Sequence, residues 1–143
     1  MSEAFFEVGG LNTWFFTRLG TFKSVRDISF SLKRGEVLGI VGESGSGKSV
    51  TGMSIMGQVD SPGRIVSGAI RLEGEDLTRL SFDQMRHYRG RRIAMVFQNP
   101  LMTLNPLMRI RDQMYEAISE HGAATVEEMH RRCIAALKSV GIP

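Results

Sequence analysis

Gly42-Glu43-Ser44-Gly45-Ser46-Gly47-Lys48-Ser49 is the stretch whose residue types and spacing carry chemistry, and it fits the phosphate-cradling pattern GxxxxGK[ST]. Gly42, Gly45 and Gly47 let the main chain turn tightly and approach a ligand with no Cβ in the way. Successive N–H groups then converge at a helix N-terminus, where the helix dipole also favours negative charge. Lys48 adds a point charge for the terminal phosphates, and the Ser49 hydroxyl is suited to the shell of a magnesium ion. A fortuitous match to the four fixed positions is expected in about one chain of this length in two hundred. The flanks lower that further. Val37-Leu38-Gly39-Ile40-Val41 reads as a short, fully buried strand of a parallel sheet. Ser49 to Met56 follows with apolar residues at Val50, Met53, Ile55 and Met56, a packed helix. Strand, glycine-rich turn and helix are the context the motif requires.

Other elements must hold this loop in place. Residues 4–8 and 11–17 read as two strands split by Gly9-Gly10, and Thr17 to Thr21 as a turn. Val25, Ile28, Phe30 and Leu32 alternate with Asp27, Ser29, Ser31 and Lys33, and Arg34-Gly35-Glu36 turns into the buried strand. The opening is therefore expected to be an antiparallel ribbon against the phosphate-binding core. Beyond the loop at Asp60-Ser61-Pro62-Gly63, residues Ile65 to Gly74 predict a strand with a bulge at Gly68. Ser81 and Gln84 form a capping box for a helix over Phe82–Tyr88. Arg86, Arg89, Arg91 and Arg92 read as a solvated basic face rather than a nucleic-acid patch. Arg92 to Phe97 is a second buried-strand candidate that delivers Gln98 at its C-terminal end, where ligands sit in open α/β sheets. Pro100 and Pro106 bracket an irregular loop. Ile110, Met114 and Ile118 mark a helix over about 109–120, which ends at the Gly122-Ala123-Ala124 break. Thr125 and Glu128 cap a last helix with Val126, Met129, Cys133, Leu137 and Val140 on one face; Gly141 and Pro143 close it.

The chain has 143 residues, of which 42% are hydrophobic and 23% charged, the balance of an ordinary globular protein. No apolar run approaches the ~20 residues of a membrane span, and the N-terminus lacks the basic and apolar regions of a signal peptide. Cys133 stands alone, which excludes a disulfide framework or a cysteine-based metal site. Together these features point to the cytoplasm. A net charge of +3 suits a phosphate ligand without demanding nucleic acid.

The combination resembles the ATP-binding subunit of an ABC transporter over nearly the whole chain. Val25 to Val41 leading into GESGSGKS resembles the entry to that family's Walker A loop. Gly63 to Gly68, Arg89-Gly90-Arg91-Arg92-Ile93-Ala94-Met95-Val96-Phe97-Gln98 and Leu104-Asn105-Pro106 resemble the oligopeptide, dipeptide and nickel importer branch. The resemblance implies an α/β fold: a P-loop NTPase core of ABC type, an N-terminal antiparallel β-subdomain, and the start of a helical subdomain. The expected division is ribbon 1–36, core with inserted strands 37–98, and Q-loop with helical start 99–143. It also implies ATP and Mg2+ as ligands. Glu43, Ser44, Gly45, Ser46, Gly47, Lys48, Ser49 and Val50 inherit phosphate binding, together with Gly42 at the head of the motif. Gln98 resembles the Q-loop glutamine that meets magnesium and the γ-phosphate side. Phe15 falls where the family places an adenine-stacking aromatic; Phe16 or Trp14 takes that role under a shift of register. Residues 99–105 resemble the segment that touches the transmembrane permease subunits, and a second ATP-binding subunit is a further implied partner. The implied location is peripheral, on the cytoplasmic face of the cell membrane.

The departures are as informative. The family's Leu-Ser-Gly-Gly-Gln signature, its apolar run ending in Asp-Glu and its switch histidine are absent from these residues. The chain thus reads as the N-terminal part of a longer subunit, with strands that complete the core sheet expected beyond Pro143. Without a general base, these residues are expected to bind ATP with little or no hydrolysis. Uncovered apolar edges are expected to cause self-association or partial disorder. Three other readings compete: a nucleotide-binding module without catalysis, a DNA-acting ABC ATPase, and another P-loop enzyme such as a GTPase or kinase. The DxxG at Asp60 lies too near Ser49 for a GTPase, and no lysine opens a Lys-x-Asp that reads guanine.

Overall fold

The computed structural model describes residues 4–99, 103–122 and 124–142. Two compact units divide the chain, one up to Arg86 and one from His87.

The first unit is built on a four-stranded antiparallel sheet of β1 (Phe6–Thr17), β2 (Gly20–Leu32), β3 (Gly63–Leu72) and β4 (Glu75–Asp76), in the order β2-β1-β3-β4. The Thr17–Gly20 connection is a tight hairpin, with Gly20 at φ 127° and the Thr17 hydroxyl donating to the Gly20 carbonyl. The inserted strand expected at 65–74 joins the ribbon's own sheet, where it lies beside β1. Val8, Leu11, Val25, Ile70 and Leu72 are buried, and each such side chain contributes roughly 1.5–3 kcal/mol by leaving water.

Gly9-Gly10 does not split the first segment into two strands; it is a bulge inside one strand. The pairing slips between Val8 and Leu11 towards β2, and between Gly9 and Asn12 towards β3. Gly10 adopts φ 58°, and across from it Gly68 sits at φ 97°. A Cβ on Gly68 would meet the Gly10 carbonyl oxygen at 2.5 Å, so Gly68 must lack a side chain for the strands to approach. The bulge frees main-chain groups, and side chains take them up. The Ser29 hydroxyl accepts from the Gly10 N–H at 2.8 Å. The Asn12 amide donates to the Gly10 carbonyl at 3.0 Å, while its oxygen accepts from the Asp27 N–H at 3.1 Å. Asp27 itself, at φ 50°, absorbs the three-residue step from Val25 to Ile28 in the apolar alternation.

Residues 37–43 are not a buried strand. They carry no ladder pairing, and Val37 and Val41 are each 94% exposed. Residues 94–97 likewise form no strand, and Val96 is 90% exposed. An apolar run supplies the side chains of a central strand, but only hydrogen-bonded neighbours on both sides make it one. The sheet of the described residues contains neither segment.

Helix α1 (Lys48–Ile55) ends in a Schellman motif at Gly57, with Gln58 N–H to the Met53 carbonyl and Gly57 N–H to that of Ser54. Its most buried positions are Thr51 and Ser54 rather than the apolar residues the sequence pointed to. A 3-10 turn, Leu77–Arg79, follows β4. Then comes α2 (Phe82–Tyr88), capped reciprocally by Ser81 and Gln84, and it contains the boundary between the units.

In the second unit α3 (Ile110–Ser119) and α4 (Val126–Ser139) form a helical pair. Cys133 is buried on the apolar stripe of α4, but the stripe's ends, Val126 and Val140, are exposed. Thr125 caps α4 through the Glu128 N–H, and the Glu128 carboxylate accepts from Arg131 and Arg132. Gly141 closes the helix, with Ile142 N–H to the Leu137 carbonyl. Pro143, Ala123 and Pro100 lie outside the described residues.

Candidate functional site

Residues 42–47 lead through a turn into the N-cap of α1, whose first residues are Lys48 and Ser49. Gly45 at φ 80° and Gly47 at φ 92° occupy the left-handed region, where residues with a Cβ are strained. Gly47 is the N-cap, and no side chain caps the helix. The first N–H groups of α1 therefore have no intrahelical carbonyl to bond, and no acidic residue occupies its first turn. Lys48 folds back across the loop. Its Nζ donates to the carbonyls of Gly42 and Glu43, both at 2.7 Å, and to Ser46 Oγ at 3.2 Å. A Cβ on Gly42 would lie 2.7 Å from Ser46 Oγ and 4.0 Å from Lys48 Nζ, so a side chain there would enter the concavity. Ser49 is exposed at the same helix mouth, and Val50, half-buried, begins the packed side of α1. Glu43, Ser44 and Ser46 are exposed along the loop. The donor set, with an ammonium, free helix-terminal N–H groups and a hydroxyl, fits a polyphosphate with its divalent cation.

The loop is anchored to the sheet at two points. At its helix end, a Cβ on Gly47 would meet the Ser24 carbonyl oxygen at 2.5 Å, so only glycine permits this approach. Ser24 is itself bulged out of β2, because Thr13 pairs with Val25 and Trp14 with Lys23. At the last turn of α1, Thr13 Oγ1 and Ser54 Oγ are 2.8 Å apart, and Thr13 is wholly buried. Neither residue is marked by the sequence pattern. The only signal is a Thr–Ser spacing of three on α1, which places Thr51 and Ser54 on one helical face.

The aromatics of β1 separate by face. Phe15 lies over Gly63, whose Cβ would fall 2.6 Å from the ring and 2.8 Å from Val59, and it pairs with Phe22 across β2. Trp14 and Phe16 point the other way, where Lys23 stands over Trp14 and Arg64 over Phe16, each 4.4 Å from the ring centroid. Phe15 thus shares the face of Thr13, on which α1 is fastened.

Gln98 belongs to the second unit, as an exposed bend after residues 94–97. Of the following loop, residues 100–102 lie outside the described residues. Its far end is clipped to α3: the Gln113 side chain accepts from the Asn105 N–H at 2.9 Å and donates to the Asn105 carbonyl at 2.9 Å. Gln113, which the sequence did not single out, fastens this end of the loop to α3. Arg91 and Arg92 are exposed, with Arg91 donating to the His121 carbonyl and Arg92 over the Tyr88 ring. Among the described residues no cluster of His, Cys, Asp or Glu is arranged to hold a metal ion, and no helix is long and apolar enough to cross a membrane.

The family described as ABC transporter matches residues 25–143. The dipeptide transport ATP-binding protein DppD of Escherichia coli (strain K12) is 42% identical over 140 residues, covering 98% of this chain and 43% of the relative. The oligopeptide transport ATP-binding protein OppD of Bacillus subtilis (strain 168) is 42% identical over 138 residues, covering 96% of this chain and 38% of the relative. This chain therefore spans less than half the length of these relatives. Among solved structures, the dimeric structure of MJ0796, a bacterial ABC transporter cassette, superposes with a TM-score of 0.78 at 22% identity, over 93% of this chain and 56% of that one. That likeness speaks for the fold.

Proposed function

This chain belongs to the ABC transporter ATP-binding family, and from that membership we propose that it is the nucleotide-binding portion of an ATPase that powers peptide import. The observation that carries the proposal is Lys48, folded over a glycine turn at the mouth of α1 with no carboxylate in the helix's first turn. In this reading the N–H groups of Glu43 to Val50 take the phosphate oxygens of ATP. Lys48 leaves the carbonyls of Gly42 and Glu43 for the β/γ-phosphates. Ser49 would hold Mg2+, which would neutralise charge on the terminal phosphates, and by the family resemblance Gln98 would be a further ligand of that ion. Phe15 stacks on the adenine, a role that suits its face better than that of Trp14 or Phe16. Residues 99–105 meet the transmembrane permease subunits, with the chain peripheral to the membrane on its cytoplasmic side, and a second ATP-binding subunit pairs with it. In this reading its role is analogous to that of the dipeptide and oligopeptide transport ATP-binding proteins that it resembles in sequence.

The test is a titration of the 143-residue chain with magnesium-ATP beside a phosphate-release assay. Saturable binding with slow turnover is expected, because these 143 residues lack the family's apolar run ending in Asp-Glu, whose glutamate activates water. Lys48→Ala should weaken binding about tenfold or more, the scale of a lost charge-assisted contact. Binding unaffected by Lys48→Ala would refute the site. Fast turnover would refute the expectation that these residues bind ATP with little hydrolysis.

A further inference from the structure

We propose that Thr13 is a positioning residue that sets the spacing between the base-binding aromatic and the phosphate loop, through its hydrogen bond to Ser54. The inference rests on the reading of Phe15 and residues 42–49 given above and concerns how the two halves of that site are held in register. Ser54 Oγ donates its single proton to the Val50 carbonyl at 2.7 Å. In the 2.8 Å contact with Thr13, Ser54 can therefore only accept, so the Thr13 hydroxyl is the donor. A directed chain results: Thr13 to Ser54 to the main chain of Val50, the last residue of the phosphate-binding stretch.

The geometry gives this chain leverage. From Thr13 to Phe15, β1 runs without a slip against β3, pairing Thr13 with Ile65 and Phe15 with Gly63. The two residues therefore point to one face of the sheet, one pleat apart. Both side chains of the bond are buried, at 0% exposure for Thr13 and 2% for Ser54, so water does not compete for it. The other anchor of α1, the seat of Gly47 on the Ser24 carbonyl, fixes only the helix's start. The Thr13 bond fixes the last turn of the helix directly to β1, beside the burial of Thr51 and Met56. A ligand that touches only the loop does not sense that bond, whereas one that spans from the loop to Phe15 does.

The test compares magnesium-ATP with inorganic tripolyphosphate, which has the phosphates and no base, on the full chain. Thr13→Val, of similar shape but without the donor, should weaken ATP about five- to tenfold, the scale of one lost buried hydrogen bond. Tripolyphosphate affinity should stay within about twofold, since the loop's own donors are untouched. Thr13→Ser should restore ATP binding. Ser54→Ala should reproduce the selective loss, and combined with Thr13→Val it should add little, because both remove the same bond. Equal losses for both ligands, or no loss for either, would overturn the proposal. If Thr13→Val does not fold, the Ser54→Ala comparison decides in the same terms. A wild-type chain that binds neither ligand would instead overturn the nucleotide-site reading itself, which separates the two failures.

Discussion

Gly47 meets two demands at once, and they can be measured apart. It sits at φ 92°, and its missing Cβ would lie 2.5 Å from the Ser24 carbonyl oxygen. Gly45 shares the first demand, at φ 80°, with nothing within 4 Å of its Cβ position. Gly45→Ala should then cost about 1–2 kcal/mol of stability, the left-handed penalty alone. Gly47→Ala must also displace main chain, so denaturant unfolding should show a cost larger than that by about 1–3 kcal/mol, as for overpacking. Equal costs would mean the Ser24 contact is loose. Asp76 offers a pH-dependent counterpart. Burial pushes its carboxyl up, but hydrogen bonds from the Thr78 hydroxyl and N–H, with Arg79 nearby, outweigh that and hold it below the ordinary range. A carboxyl depressed in the folded state adds stability that is full above its unfolded pKa of about 4, and loses it as pH falls through the folded value. Asp76→Asn should therefore lower stability at pH 7 and flatten the acid limb of the stability curve. An unchanged acid limb would count against the pairing. At this scale the motif residues were legible in the sequence because spacing alone fixes the local turn. Thr13 and Ser54 were not, since their partnership depends on a sheet and a helix meeting 41 positions apart.

Elements formed where the local code was self-sufficient. Ser81 with Gln84 capped α2, Thr125 capped α4, and Gly141 closed it, each by bonds within a few residues. The bulge of β1 reads as a break in the sequence because two adjacent glycines look alike in either role; Gly68 on the neighbouring strand distinguishes them. Asn12 holds that irregularity together, bonding Gly10, Ser67 and Asp27. Replacing it by alanine removes the partners of a freed carbonyl and a freed N–H. The expected loss is about 1–3 kcal/mol, the cost of leaving such groups unsatisfied. Amide exchange should localise it: the Asp27 N–H should lose protection in Asn12→Ala, while those of α4 keep theirs. Uniform loss across both units would mean that Asn12 acts through global stability instead.

For the molecule as a whole, the family and fold were legible from motifs spread along the chain, from the glycine-rich loop to Leu104-Asn105-Pro106, while the burial of the apolar runs was not. Val37, Leu38, Ile40 and Val41 form an almost continuous apolar run, yet all four are exposed, at 94%, 44%, 50% and 94%. Both faces of that segment thus meet solvent, although its composition is that of a strand covered on both sides. Val96 at 90% and Leu107 at 94% add to the exposed apolar surface. Unpaired apolar segments of this kind recruit other chains, by edge pairing or by simple burial. The 143-residue chain should accordingly self-associate, with a sedimentation coefficient that rises with concentration and with binding of a hydrophobic dye. Val37→Lys with Val41→Lys should shift it towards monomer. Leu19→Lys, at the hairpin tip and 101% exposed but isolated, should not, because a single apolar side chain on a turn offers no edge to pair with. A chain that sediments as a monomer at every concentration and melts in one sharp transition would show that these runs find their cover within the molecule.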